Sequence, residues 1–82
     1  MTEEKMMQDI NEIFRDVLDN NDLVIKRETT ANDVEEWDSL THIQLLVALE
    51  KRFKIRFSSS EMQKFQNVGE MADAILQKTS EQ

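Results

Sequence analysis

Apolar residues recur at spacings of three and four near the start of the chain. They are Met6, Ile10, Ile13, Phe14, Val17 and Leu18. This spacing places them on one face of an amphipathic helix. Thr2 is of a residue type that caps helix N-termini, so the pattern predicts a first helix over residues 3–18.

A polar segment, "DNNDLVIKRETTANDVEE", follows and breaks the helical pattern. It is rich in Asn, Asp and Thr, which favour turns and loops. We expect a long loop that crosses the protein and is pinned to its core by Leu23, Ile25 and Val34.

A second helix is predicted from Asp38 and Ser39 to Arg52 or Phe53. On a wheel of about 100° per residue, one arc holds the predicted core face, which consists of Leu45, Leu46, Leu49 and Phe53. Leu40 and Val47 fall on roughly the opposite side, together with Gln44 and Lys51. Exposed apolar residues are normal taken singly, but these two could also form a strip on which a partner docks.

Two shorter helices are predicted in the last third of the chain. In "SSSEMQKF", Ser58 and Glu61 have the spacing of a capping box, and "NVGEMADAILQK" repeats this device with Asn67 and Glu70. The polar tail after Lys78 is expected to fray. "IRF" has β-propensity, but a lone strand has nothing to pair with. We therefore predict an all-α fold, a four-helix bundle with a long loop between helices 1 and 2 and a short third helix.

The size and composition of the chain narrow the possible functions. Its 82 residues form one small domain, with an ordered part predicted over about 3–78. Without cysteine there is no thiol nucleophile and no Cys-based metal site. The charged start lacks a signal-peptide pattern, and the longest apolar run, 45–49, is too short to cross a bilayer. We expect a cytoplasmic protein without a membrane span.

The charge of the chain is acidic and unevenly distributed. The formal net charge is −7; residues 1–38 hold 12 acidic and 4 basic side chains, whereas residues 39–82 hold 5 and 6. Nucleic-acid binding requires clustered Lys and Arg, so nucleic acid is not expected as a partner. The acidity lies in the first helix and the loop.

The pair Asp38–Ser39 is the main candidate for chemistry. Asp38 is a good N-cap, and Ser39 would then lie accessible in the first turn, where the helix N-terminus favours a phosphate group on its hydroxyl. The alternative is an ordinary helix start in which the pair has no further role.

The stretch "DSLTHIQLLVALEKRF" resembles the modification motif of acyl carrier proteins. The positions that match the family's pattern are Asp38, Ser39, Leu40, Leu45, Ala48, Leu49, Glu50 and Phe53. The similarity continues through the short third helix and "NVGEMADAI", and the four-helix plan with a long first loop is also that of the family.

The resemblance implies a covalent cofactor. A phosphopantetheinyl transferase would move 4′-phosphopantetheine from coenzyme A onto Ser39, and the thiol of the arm would carry acyl groups as thioesters in fatty-acid, polyketide or related biosynthesis. Asp38 would help to hold Mg²⁺ during this modification, a role that suits an oxygen ligand and a hard cation. No resident metal is expected.

The resemblance also implies partners rather than catalysis. The transferase and the acyl-transferring, synthase or ligase enzymes would contact Leu40, Gln44, Val47 and Lys51. The protein itself would be a monomeric carrier and not an enzyme.

Two positions depart from the family's pattern. Glu36 stands three residues before Ser39, where members usually have Gly, which leaves the conformation of the loop open. The neighbouring Trp37 is expected to pack in the core. The second helix, where members typically carry Asp and Glu, has Thr41, Gln44, Lys51 and Arg52, followed by Lys54. This suggests specialised partners that do not use a basic patch opposite the second helix.

These residues support other functions to different degrees. A peptidyl or aminoacyl carrier has a similar motif, and an unmodified helical interaction module would keep its function after Ser39→Ala. A hydrolase would need Asp38, Ser39 and His42 as a catalytic group, but His42 falls in the core arc and is expected to be a satisfied, partly buried side chain.

Overall fold

The computed structural model describes residues 2–80, which form four α-helices. These are α1 (Glu3–Val17), α2 (Ser39–Phe53), α3 (Ser59–Lys64) and α4 (Val68–Ser80), and one 3₁₀ turn, Ala31–Asp33, lies in the long loop. The described part contains no strand. The predicted all-α fold with a long first loop and a short third helix is confirmed. None of the helices within residues 2–80 has the length and apolar character that a membrane crossing requires.

The helices begin at the predicted capping residues. The hydroxyl of Thr2 accepts the Lys5 N–H at 3.1 Å, and the Asn67 side chain accepts the Glu70 N–H at 2.9 Å. Ser58 forms the expected capping box at the start of α3. These contacts satisfy N–H groups that have no partner inside the helix.

The C-terminal end of α4 differs from the prediction. Helix α4 continues past Lys78 to Ser80, two residues beyond the predicted ordered part. The Thr79 hydroxyl donates to the Ile75 carbonyl oxygen at 2.9 Å, which stabilises the last turn. Residues 81–82 of the predicted tail lie outside the described part of the chain.

The core is formed by α1, α2 and α4. Its largest fully buried side chains are Met6, Ile10 and Phe14 of α1, Leu45, Leu46 and Leu49 of α2, and Val68, Met71 and Ile75 of α4. Phe53 is also buried, so the predicted core face of α2 is confirmed. Helix α3 places no fully buried residue in this core.

The long loop is fixed to the bundle at several points. Ile25 and Val34 are buried, and Leu23 packs partly buried against the core, as predicted. The Asn11 side chain holds the backbone of Ile25 from both sides, accepting its N–H at 2.7 Å and donating to its carbonyl at 3.0 Å. These bonds satisfy the loop backbone where it crosses α1.

The same loop also closes on the start of α4. The Gly69 N–H donates to the Arg27 carbonyl at 2.7 Å, and the Arg27 guanidinium binds Glu3 and, at 2.7 Å, Asp73. A Cβ at position 69 would lie 3.0 Å from the Arg27 carbonyl oxygen, so only glycine permits this approach without a shift. The loop therefore leads into α2 from a fixed position.

Candidate functional site

Helix α2 begins with a complete capping box that does not use Ser39. Asp38 Oδ1 accepts the N–H groups of Leu40 and Thr41, both at 2.9 Å. In return the Thr41 hydroxyl accepts the Asp38 N–H at 2.8 Å, and it donates to the Glu36 carbonyl at 2.9 Å. Asp38 and Thr41 therefore cap the helix.

Ser39 is the first residue of α2, and its side chain is exposed. Its hydroxyl makes no hydrogen bond to any side chain or backbone group described for residues 2–80. Because the helix start does not need this hydroxyl, the group is presented to solvent at the positive end of the helix dipole.

The Asp38 carboxylate is held in its charged form. The N–H bond from Thr41 is the largest of the contacts that lower the pKa of Asp38 below the ordinary value for aspartate. All the hydrogen bonds that the Asp38 carboxylate accepts from Leu40 and Thr41 fall on Oδ1. The cap thus leaves Oδ2 of an ionised carboxylate one residue away from the Ser39 hydroxyl.

An apolar groove lies beside Ser39, between α2 and α3, with a volume of about 460 Å³. Asp38 and Ser39 form part of its wall. The larger side chains that line it are Trp37, His42, Ile43, Met62 and Phe65. We call this space the α2–α3 groove.

His42 connects the two walls of the α2–α3 groove. Trp37 Nε1–H donates to His42 Nδ1 at 3.1 Å, and His42 Nε2 lies 2.8 Å from the Met62 carbonyl oxygen. Since Nδ1 accepts, Nε2 carries the proton and donates to Met62. The prediction of a satisfied, partly buried His42 is confirmed, and neither ring nitrogen is free to take a proton from Ser39.

Trp37 is part of the core, as predicted. It is 6% exposed and packs edge-to-face on Phe14, with ring centroids 5.1 Å apart. Its other neighbour is the stacked His42 ring. The preceding Glu36 accepts a hydrogen bond from the Asn20 side chain at 2.8 Å, and its φ is not positive. Glycine is therefore not required at position 36.

The solvent-facing side of α2 carries apolar residues next to Ser39. Leu40 is 68% and Val47 38% exposed, and Gln44 and Lys51 are exposed on the same side, as the helical wheel predicts. Ile43, 47% exposed, was missed. The signal for it is its spacing, because a residue four positions after Ser39 lies on the same helix face.

Arg52 differs from Lys51, the other cation of α2. Its guanidinium turns towards α1, where it binds Asp9 at 2.8 Å and Glu12 at 2.9 Å. Asp9 is buried and also accepts a bond from Lys5 at 3.1 Å. Arg52 thus joins two helices and is not available as a docking charge.

Comparison with known proteins gives two matches and one negative result. The family model described as "Phosphopantetheine attachment site" matches residues 8–75. The solution NMR structure of a holo acyl carrier protein from Geobacter metallireducens superimposes with a TM-score of 0.85 and 44% sequence identity, covering 92% of this chain and 86% of that one. No curated protein sequence matches the chain significantly.

Proposed function

The chain belongs to the acyl carrier protein family, and from that premise we propose that Ser39 is the residue on which it carries its 4′-phosphopantetheine. The observation that carries this proposal is the exposed Ser39 hydroxyl, which the helix cap does not use. As a member of this family the protein is an acyl carrier with a covalently attached 4′-phosphopantetheine.

The prosthetic group supplies a terminal thiol that holds acyl groups as thioesters, a group that this cysteine-free chain lacks. Ser39 would supply the oxygen of the phosphodiester bond and lose its proton to the transferase, while the pyrophosphate bond of coenzyme A breaks and adenosine 3′,5′-bisphosphate leaves. The N-terminus of α2 stabilises the negative charge that the phosphate brings to this position.

Asp38 has two roles in the proposal. Through Oδ1 it fixes the first turn of α2 and so the direction of the Ser39 side chain. Through Oδ2 it would help to hold Mg²⁺ during the transfer, because hard cations prefer carboxylate and phosphate oxygens.

The exposed face of α2 is the docking surface for the transferase and for the partner enzymes. Leu40 and Val47 provide apolar contacts, Gln44 and Lys51 provide polar ones, and Ile43 extends the surface towards the α2–α3 groove. Apolar exposure that continues from a site of chemistry is typical of a partner surface. The partners are acyl-transferring, synthase or ligase enzymes of fatty-acid, polyketide or related biosynthesis.

The protein acts as a substrate shuttle in the cytoplasm and performs no catalysis of its own. Both ring nitrogens of His42 are engaged, so His42 cannot serve Ser39 as a general base. The groove beside Ser39 is apolar, which suits an acyl cargo.

Intact-mass spectrometry tests the attachment site. The protein is incubated with coenzyme A, Mg²⁺ and a broad-specificity phosphopantetheinyl transferase, and wild type is expected to gain one phosphopantetheinyl group whereas Ser39→Ala gains none. Ser59→Ala is the matched control, because Ser59 is likewise the first residue of a capped helix. Absence of any gain in folded wild type whose starting mass shows no phosphopantetheinyl group would leave the unmodified interaction module.

A second variant tests the proposed role of Asp38. Asn caps helices as well as Asp does, so Asp38→Asn removes the charge and keeps the cap. We expect modification to slow by about tenfold or more, which corresponds to the loss of one charge-assisted contact. An unchanged rate, measured by the same mass assay, would contradict the Mg²⁺ role and leave the attachment at Ser39 intact.

A further inference from the structure

The cationic side chains of the protein fall into two groups. Those of the first group are bound within the chain and are Lys5, Arg15, Arg27, Arg52 and Lys78. Those of the second group are Lys26, Lys51, Arg56 and Lys64, whose charged ends make no ion pair or hydrogen bond with the groups described for residues 2–80. Lys54 belongs to neither group, since it has an interaction of its own.

Two cations of the second group line one groove. The groove lies at the C-terminal end of α2, measures about 590 Å³, and includes Lys51, Arg56, Val47 and Ile55 in its lining. We call it the α2-end groove. Val47 is also part of the exposed apolar face that begins beside Ser39, so the two surfaces are continuous.

One carboxylate also lines the α2-end groove. Glu50 Oε2 accepts the Phe57 N–H at 2.8 Å, and the residue is half-buried. This carboxylate stabilises the chain after α2 and is not a free negative group at the surface. With Lys51, Lys54 and Arg56 against Glu50, the rim of the groove is positively charged.

Helix stability explains only part of this arrangement. Lys51 lies in the last turn of α2, where a cation complements the helix dipole. Arg56 lies beyond the helix end. Lys54 adopts a left-handed conformation with φ of 57°, and the Ile55 N–H then donates to the Glu50 carbonyl at 3.0 Å. This reversal brings Arg56 to the groove, where its charge serves neither the helix nor any described ion pair.

We propose that the α2-end groove docks a partner enzyme through a surface on which Asp or Glu carboxylates flank an apolar residue. This inference rests on the proposed function, because it specifies which kind of enzyme approaches the arm on Ser39. The apolar residue contacts Val47, beside the largely buried Ile55, while the carboxylates pair with Lys51 and Arg56. Arg forms two parallel hydrogen bonds with a carboxylate, so Arg56 gives orientation as well as charge.

Charge complementarity selects this partner. The chain carries 17 acidic residues, yet Lys51 and Arg56 stay unpaired while Arg52, between them in sequence, is bound to two carboxylates of α1. A basic partner surface would be repelled at this end of α2. An acidic partner surface forms the charge pairs with Lys51 and Arg56 and also buries Val47.

Two synthetic helical peptides serve as probes. They share one apolar face, which in the first peptide is flanked by Glu and in the second by Lys. Each is titrated into the ¹⁵N-labelled protein, from a preparation whose mass has first been measured. The Glu peptide is expected to bind and to shift the amide signals around Val47, Lys51, Ile55 and Arg56. The Lys peptide is expected to leave these signals in place.

A pair of charge reversals makes the test specific. Lys51→Glu with Arg56→Glu should weaken binding of the Glu peptide at least about tenfold, as expected when close charge pairs become like-charge contacts. The matched control is Lys26→Glu with Lys64→Glu, which changes the net charge equally at other unpaired cations, and it should weaken binding less than about twofold.

Several results would overturn the inference. These are equal loss of binding in the control pair, stronger binding of the Lys peptide, shifts confined to another surface, or concentration-dependent self-association through this groove. If wild type accepts phosphopantetheine but does not bind the Glu peptide, only this inference fails. If folded wild type neither carries nor accepts phosphopantetheine, the proposed function fails, whichever peptide binds.

Discussion

Helices α2 and α3 begin alike but are anchored differently. Each starts with a capping box followed by a serine, Ser39 in α2 and Ser59 in α3. Helix α2 places four side chains in the core, whereas α3 buries none completely and is joined to the bundle by polar contacts such as His42 to Met62 and Lys78 to Glu61.

This comparison shows that local sequence does not by itself make a site. Ser39 and Ser59 occupy equivalent positions in their helices, but the exposed Leu40 and Val47 lie on the helix that begins with Ser39, and the α2–α3 groove lies beside it. The α2–α3 groove also has one firmly held wall and one weakly held wall. Segments with few buried contacts open at lower free-energy cost, so we expect the groove to widen by movement of α3.

The largest loss of stability should come from truncating a core side chain of α2, the firmly held wall of the α2–α3 groove. Leu46 is fully buried, so Leu46→Ala should lower the free energy of unfolding by about 2–5 kcal/mol. Met62 is only partly buried, so Met62→Ala should lower the free energy of unfolding by about 1 kcal/mol. Urea unfolding measures both, and equal losses would contradict the difference in anchoring.

Removing the polar link between the walls should have the next largest effect. His42→Phe keeps a ring but leaves Trp37 Nε1–H and the Met62 carbonyl without their partner, at a cost of about 1–3 kcal/mol. Amide hydrogen exchange should rise in α3 more than in α2. A uniform rise across both helices would show that His42 does not hold α3 in particular.

Removing the N-terminal cap of α2 should destabilise the protein less than either of these changes. Asp38→Ala removes the acceptor of two N–H groups and should lower the Tm by roughly 5 °C, whereas Asp38→Asn keeps the acceptor, loses only the charge and should lower the Tm less. Thermal unfolding followed by circular dichroism measures both variants.

The Asp38 cap should also depend on pH. Because the pKa of Asp38 is lowered in the folded protein, its stabilisation is complete above the ordinary aspartate value of about 4 and is lost as the pH falls through the folded value. Asp38→Asn should therefore lose less stability than wild type in acid. If the stability of wild type and of Asp38→Asn fell in parallel as the pH is lowered, the charge of Asp38 would not contribute to the cap.

The smallest effect should come from the cap of α3. Ser58→Ala removes the acceptor of the Glu61 N–H and should cost about 0.5–1 kcal/mol. Since α3 is weakly anchored, the loss should appear as faster hydrogen exchange within residues 59–64 and hardly in α2. Faster exchange throughout the bundle would place α3 in the same cooperative unit as α2.

The sequence predicts those features that depend on periodicity and on local capping. The core face of α2 follows from the spacing of Leu45, Leu46, Leu49 and Phe53, and the start of α3 follows from Ser58 and Glu61, because each pattern is complete within a few residues. The exposed position of Leu40 and Val47 follows from the same wheel. The residues that carry the resemblance to acyl carrier proteins lie in the same helices.

Features that join distant segments could not be predicted in this way. Ile43 becomes part of a groove only because α3 lies beside it, and the direction of Arg52 depends on Asp9 and Glu12 of another helix. That His42 is satisfied follows from its place on the wheel. Its partner Met62 lies 20 positions away and is known only from the folded structure.

Trp37 gives the protein an intrinsic optical probe. It is the only tryptophan in a chain without tyrosine, and it lines the groove next to Ser39 while stacking on His42. Its fluorescence therefore comes from one defined place. An acyl chain that enters the groove would displace water there and disturb the hydrogen bond that the indole N–H donates. The occupancy of the groove can accordingly be followed by fluorescence in the unlabelled, unmutated protein, in real time and during turnover by its partners.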